Sequence, residues 1–469
     1  MFKCDTIVAI ATALSNAGIG IIRISGEDAF VVANKIFRSK SNKQTLLDYK
    51  THTIHYGFIY DDEELIDEVM ISIMKSPNSF TTENTVEINC HGGILIMNKI
   101  LTIVLKNGTR IAEPGEFTKR AFLNGRIDLS KAEAIMDLIH AKNELSLKSS
   151  MKQLSGAILQ KVKELRRQII YEIAFIESAL DDPEHISLDG YEERLGIVVN
   201  GIIVELQYLC DSTENGKYIQ EGIKTVILGK PNVGKSSFLN AMIGVEKAIV
   251  TNIPGTTRDF IEEHIMLDGI SLQLIDTAGI RDANDEVEKI GILKSKEQGL
   301  NADLIIYIID TSESLSDSDY EIMRFIKDKK YIILLNKCDL SSVITKEMIS
   351  NEFYNTIGNN FINMEHMFEI SIKNNLGIEQ VKQCIKGLFF NNDILTNDEI
   401  VITNIRHKEL IMDALNSMNQ VNNSLNMQMP EDFLSIDLMS AYSSLGFLIG
   451  EEVSEDLINE IFSKFCTGK

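Results

Sequence analysis

Three things are missing from this 469-residue chain. Its six cysteines, at positions 4, 90, 210, 338, 384 and 466, form no CxxC pair and no His/Cys cluster, which argues against a zinc site or a disulfide framework. Most are expected to be small buried hydrophobes. No run of 18 uninterrupted apolar residues occurs, and the stretch IVAIATAL, with Lys3 and Asp5 before it, breaks at Ser15 and Asn16. Neither a membrane span nor a secretory signal is expected, and the reading is cytosolic. A basic excess is missing too. The net charge of −22 opposes non-specific nucleic-acid binding, which requires cations that displace counterions from phosphates. Any such contact must be local or borrowed from a partner.

What is present is ordinary for a folded chain, with 44% hydrophobic and 24% charged residues, and the length suggests about three domains. Residues 1–117 alternate short β-rich runs (GIIRIS, TIHYGFIY, EVMISIM, TVEINCHGG) with helical text such as GILIMNKILTIVLKNG, the pattern of an α+β domain. From Asp128 apolar residues recur at helical spacing, so 118–217 is read as the first part of a helical domain. Residues 218–390 alternate strands with helices, as a parallel sheet covered on both faces does. Helical text returns over 391–469. The arrangement predicts a discontinuous helical domain with an α/β domain inserted into it. No internal repeat and no low-complexity tract occurs.

The strand KTVILG runs into GKPNVGKSS, a phosphate-loop pattern with Gly229, Gly234, Lys235 and Ser236, and a helix follows. Glycines let backbone amides wrap phosphates, Lys235 would reach the β and γ oxygens, and the Ser236 hydroxyl would bind Mg2+. In DTAG, Asp276 would hold the magnesium through water and the Gly279 amide would sense the γ-phosphate. In NKCD, Asn336 and Asp339 would meet the guanine edge, where a carboxylate selects guanine over adenine, and Ser371 lies near the base. Four motifs in this order imply a GTP-binding domain of Ras-like P-loop type. The full GTP set is Asn232, Val233, Gly234, Lys235, Ser236 and Ser237; Thr251, Asn252, Ile253, Pro254, Gly255, Thr256 and Thr257; Asp276, Thr277, Ala278 and Gly279; and Asn336, Lys337, Asp339 and Ser371. The position that carries a water-orienting Gln in Ras-like switches is Ile280, so the attacking water must be held otherwise. Asn232 and TNIPGTTRD (Thr251 to Asp259) offer carbonyls and hydroxyls that could cage a monovalent cation.

With these motifs, DTIVAIAT, GIIRISG, CHGG, the segment EPGEFTKRAFLNGRIDL and the terminal Cys-x-Gly-Lys, the chain resembles the MnmE (TrmE) family of tRNA-modification GTPases over essentially its whole length. The resemblance implies an N-terminal domain that mediates homodimerisation and binds a tetrahydrofolate derivative (5,10-methylene or 5-formyl) through Arg23, Glu87, Arg126 and Lys469. It implies potassium at Asn232, Thr251, Ile253 and Thr256, magnesium at Ser236 and Thr257, and a catalytic glutamate at Glu288. It also implies a flavin-containing MnmG partner, which carries the FAD, and a reaction at C5 of the wobble uridine of certain tRNAs. Cys466 would bring a thiol toward the folate site, with Phe462 and Phe465 as its anchors. Thr467 and Ile372 depart from the family pattern, which usually has an aliphatic residue at the first position and a small one at the second. Two other readings stay open: an RNA-binding switch or ribosome-assembly GTPase, and a stand-alone folate aminomethyltransferase, which would leave the GTPase domain unexplained.

Overall fold

The computed structural model describes residues 5–40, 45–182, 184–185, 187, 189–243, 263–267, 269–275, 302–357, 364–390, 400–451, 453–466 and 468. They form two compact units, one of residues 1–136, 153–199 and 416–469, the other of 137–152 and 200–415.

The first unit holds a seven-stranded sheet in the order β3-β4-β5-β6-β2-β1-β7. The strands are β1 (Ile7–Ile10), β2 (Ala17–Ser25), β3 (Phe37–Ser39), β4 (Thr53–Asp61), β5 (Glu64–Met74), β6 (Thr85–Gly92) and β7 (Arg110–Ile111). All neighbours are antiparallel except β1 and β7. Side chains alternate between the faces of a strand. On β6, Val86, Ile88 and Cys90 therefore point into a core built with the helices Ala29–Ile36 and Ile94–Lys106, while Glu87, Asn89 and His91 occupy the opposite face. On β2, Ile22 and Ile24 join the core and Arg23 stands beside Glu87.

The same unit contains the helices Ala157–Asp181 and Glu431–Ile449, which pack along each other, and Glu455–Ser463, which packs on Glu116–Leu123. Phe462 and Phe465 share a cluster with Leu129, Ala132, Phe122 and Ile127. This packing explains why compactness cuts the chain elsewhere than at 117, 217 and 390: the C-terminal helix is seated on residues that follow the N-terminal sheet directly. Two helical stretches, Tyr191–Glu221 and Asp432–Ile449, are long and apolar enough by composition to cross a membrane, although Glu205 and Asp437 interrupt them. The second lies along Ala157–Asp181.

The second unit carries a six-stranded sheet in the order β13-β12-β11-β8-β10-β9. Its strands are β8 (Ile223–Leu228), β9 (Glu263–Leu267), β10 (Ile270–Leu274), β11 (Leu304–Asp310), β12 (Tyr331–Asn336) and β13 (Met367–Ile370), parallel throughout except for β9. β11 and β12 are apolar up to their last residues, as strands buried on both faces should be, and every residue of β11 is buried. One apolar cluster lies on each face of the sheet. Because β8 has β10 on one side and β11 on the other, the crevice at its carboxyl end is a topological switch point, where open α/β sheets bind ligands.

One expectation fails. Of the five cysteines described, only Cys90 is buried; Cys210, Cys338 and Cys384 are half-buried and Cys466 is exposed. Cys90 sits on the core side of β6, and burial pushes its thiol up to about 11. Cys466 follows the last turn of the terminal helix, where the two phenylalanines fill the apolar space instead.

Candidate functional site

The phosphate loop leaves β8 at Leu228 and enters the helix Lys235–Ile243. Gly229 (φ +150°) and Gly234 (φ +104°) take conformations that side chains resist. A Cβ on Gly229 would lie 2.5 Å from the Ile308 carbonyl oxygen, and one on Gly234 would lie 2.5 Å from Asn336 Nδ2. Both glycines are therefore required by close approach of β11 and of the base loop. Asn232 adopts the left-handed region at φ +58°, which asparagine tolerates better than most residues, and is exposed. Val233 is buried in the core, whereas Ser236 and Ser237 are exposed at the helix start. Lys235 Nζ donates to the carbonyls of Gly229 (2.5 Å) and Lys230 (2.8 Å). Lys230, inside the loop, is tied by Asp319 Oδ2 at 2.5 Å.

The base loop follows β12. Asn336 is buried, its Nδ2 donating to the Val233 carbonyl at 2.8 Å and its Oδ1 accepting from the Ile372 amide at 3.3 Å. Its carboxamide thus braces the phosphate loop to the segment after β13, while Asp339 is exposed. The Ser371 hydroxyl donates to Asp339 Oδ1 at 2.6 Å, and this hydrogen bond is the main reason the carboxyl lies below the usual aspartate range. Lys337, at φ +65°, pairs with Asp310, the acid that ends β11. Burial pushes the Asp310 carboxyl up, but hydrogen bonds from Lys337 and Ser312 outweigh it and hold the group below the ordinary range. Asp310 escaped the sequence reading, although an acid closing an otherwise apolar strand was its signal. Thr251, Asn252, Ile253, Pro254, Gly255, Thr256, Thr257, Asp276, Thr277, Ala278, Gly279, Glu288 and Lys469 lie outside the described residues.

A second cluster belongs to the sheet unit. Arg23 Nε donates to Glu87 Oε1 at 2.8 Å, and Arg23 Nη1 reaches the carbonyl of Gly468 at 3.3 Å. Two of the predicted folate residues are therefore partners of each other, and one of them, Arg23, also reaches Gly468. Phe117, fully buried, lies 5.6 Å beneath the Arg23 guanidinium, and Arg126 stands 5.1 Å over the Phe80 ring. The tail is held at several points. The Phe462 and Phe465 rings lie 4.9 Å apart, tilted by 42°, the Gly115 amide donates to the Cys466 carbonyl at 3.3 Å, and Gly468 is buried at φ +94° against Ile10.

Beneath the tail, Glu116 accepts from Arg110 at 2.6 Å and from Arg120 at 2.9 Å, and Arg120 also pairs with Asp5 and Glu83. Burial pushes the Glu116 carboxyl up, yet hydrogen bonds from Arg110, the Glu113 amide and Arg120 hold it below the ordinary glutamate range. This ion network was not anticipated, although Glu116 and Arg120 at i and i+4 mark it.

Two family models match the chain: the GTP-binding protein TrmE N-terminus over residues 6–126, and the MnmE helical domain over residues 129–466. A protein from Lachnoclostridium phytofermentans, named tRNA modification GTPase MnmE, is 56% identical over 467 residues, covering 100% of both chains. Proteins of the same name from Clostridioides difficile and Thermoanaerobacter pseudethanolicus are 46% and 45% identical, covering 100% and 99% of this chain and of their own. Domain models and full-length relatives agree, and the chain belongs to the tRNA modification GTPase MnmE family.

Proposed function

We propose that this chain hydrolyses GTP in the modification of tRNA, acting with a flavin-containing MnmG partner to add an aminomethyl or carboxymethylaminomethyl group at C5 of the wobble uridine. The observation that carries this reading is the joined nucleotide site: a phosphate loop whose two glycines admit no side chain, braced by Asn336 to a base loop in which Ser371 orients Asp339. A triphosphate fits that loop, with Lys235 and Ser236 as the groups to hold phosphate and Mg2+. Bound magnesium supplies charge neutralisation at the phosphates. Asp339, ionised and held by Ser371, accepts from the guanine edge and excludes adenine. Thr257 and Asp276 complete the magnesium set, Glu288 orients the attacking water, and Asn232 with Thr251, Ile253 and Thr256 holds potassium in place of an arginine finger.

The Arg23–Glu87 pair and Arg126 are assigned, with Lys469, to a tetrahydrofolate derivative. The contact of Arg23 with the Gly468 carbonyl supports this assignment, because it brings the exposed Cys466 and the folate residues into one neighbourhood. The four segments 1–117, 118–217, 218–390 and 391–469 are proposed as the functional divisions, the first also mediating homodimerisation, and the protein is assigned to the cytoplasm. FAD enters only through the partner, whose surface would supply the positive charge for tRNA that this acidic chain lacks. The test is reconstitution of purified chain and partner with GTP, folate derivative, FAD and tRNA, followed by wobble-nucleoside analysis. Product that depends on GTP is expected. Hydrolysis without any GTP-dependent product would favour the switch reading.

A further inference from the structure

We propose that Ile372 is a positioning residue that wedges the phosphate loop from the base side and sets how fast guanine nucleotide leaves; the proposal rests on reading this site as a GTP site. Ser371 and Ile372 are adjacent but serve different loops. Ser371 holds Asp339, whereas the Ile372 side chain reaches the phosphate loop, its Cδ1 lying 3.2 Å from where a Gly234 Cβ would stand. Ile372, partly buried, packs against the core cluster that contains Val233, Phe238 and Ile370. A tight turn fixes its backbone: the amide of Ser371 donates to the Leu376 carbonyl at 3.2 Å, that of Leu376 to the Ser371 carbonyl at 3.0 Å, and that of Asn375 to the Ile372 carbonyl at 3.3 Å.

Gly234, which precedes Lys235 directly, is thus confined on one side by Asn336 and Ile372. A glycine at φ +104° has wide freedom unless its surroundings remove it. The wedge keeps the loop amides in a phosphate-binding arrangement, and such pre-organisation is felt mainly in the dissociation rate. Asn336 receives its hydrogen bond from the backbone amide of residue 372, so trimming the side chain leaves that bond in place.

The test follows release of methylanthraniloyl-GDP from the full chain, chased with excess GDP, in wild type, Ile372→Val, Ile372→Ala and Ile372→Met. Ile372 is half-buried, so losing one methyl group should speed release by up to about fourfold in the Val variant and more in Ala. Met regains the reach and should restore nearly the wild-type rate. The association rate and the preference for guanine over xanthine should stay unchanged, because Asp339 keeps Ser371. Wild-type release from the Val and Ala variants would overturn the proposal, as would failure of Met to rescue or a loss of base preference in step with faster release. Should Ala fail to fold, the Val and Met pair still decides. If wild type itself does not retain the GDP analogue, the nucleotide reading falls and this proposal with it, an outcome distinct from retention that is indifferent to residue 372.

Discussion

Gly115→Ala is expected to unseat the C-terminal segment, and two energetic contributions can be separated. Gly115 sits in the left-handed region at φ +68°, where an L-residue costs roughly 1–2 kcal/mol. Its Cβ would also stand 2.6 Å from the Phe462 carbonyl oxygen and 2.7 Å from Phe465 Cβ. The first of these atoms is backbone and cannot swing aside, so the terminal helix must shift. Phe462 and Phe465, 1% and 6% exposed, would then give up part of their burial, each ring being worth about 1.5–3 kcal/mol when fully buried. Losing half of one ring's share brings the total to about 2–4 kcal/mol. Gly125→Ala is the control, since Gly125 has nearly the same φ, +72°, and no atom within 4 Å of its Cβ position. Because the backbone cost is common to both, urea unfolding at unchanged m should place Gly115→Ala below Gly125→Ala by about 0.8–1.5 kcal/mol. Hydrogen exchange should show lost protection over residues 455–466 in the first variant alone. Equal destabilisation of the two variants would refute the seating of the tail on Gly115.

Asp339→Asn should reduce guanine affinity by roughly 10²-fold or more and turn preference toward xanthosine triphosphate, because a pure acceptor becomes a mixed donor and acceptor; unchanged preference in competition binding would unseat the base-loop assignment. Hydrolysis should be much faster in potassium than in sodium at matched ionic strength, and equal rates would remove the proposed cation from the mechanism. Cys466→Ser should abolish or severely reduce tRNA modification while sparing GTP hydrolysis. Since Cys466 is exposed, the stability of the variant should stay within about 0.5 kcal/mol of wild type, and full modification by it would leave the thiol without a chemical role.

The phosphate loop was legible in the sequence because its geometry is a local demand. Strand, glycine and helix start must follow one another within a few residues, and Gly229 and Gly234 stand where only glycine fits. The sheet face of Glu87 was equally local, since alternation along TVEINCHG assigns Glu87, Asn89 and His91 to one side. The role of Asn336 was not local. Its carboxamide could have turned to a base or to the phosphate loop, and that choice is made by the Val233 carbonyl, 103 positions away in sequence. The Arg23 contact to Gly468 spans 445 positions, and motif spacing carries no information across such a distance.

The segment EPGEFTKRAFLNGRIDL gives the same lesson in reverse, for its distinctive text answers to packing at nearly every step. Gly115 makes room for Phe462 and holds Cys466, so it determines where the thiol-bearing tail can lie. Glu116 gathers Arg110 and Arg120 and thereby fastens its helix to β7, Asp5 and Glu83. Glu116 is the buried member of this network, and removing its partner Arg120 would leave a buried carboxylate short of compensating charge, whereas Arg110 and Asp5 are open to solvent. Phe117 supports Arg23 from below, and Arg126 rests on Phe80. One short helix and the turn after it therefore fix the chain's end, two of the four proposed folate residues and the edge of the sheet together. The requirement for this text is geometric before it is chemical: substitutions at Gly115, Glu116 or Phe117 would disturb the candidate folate site even though only Arg126 within the segment is assigned to bind it.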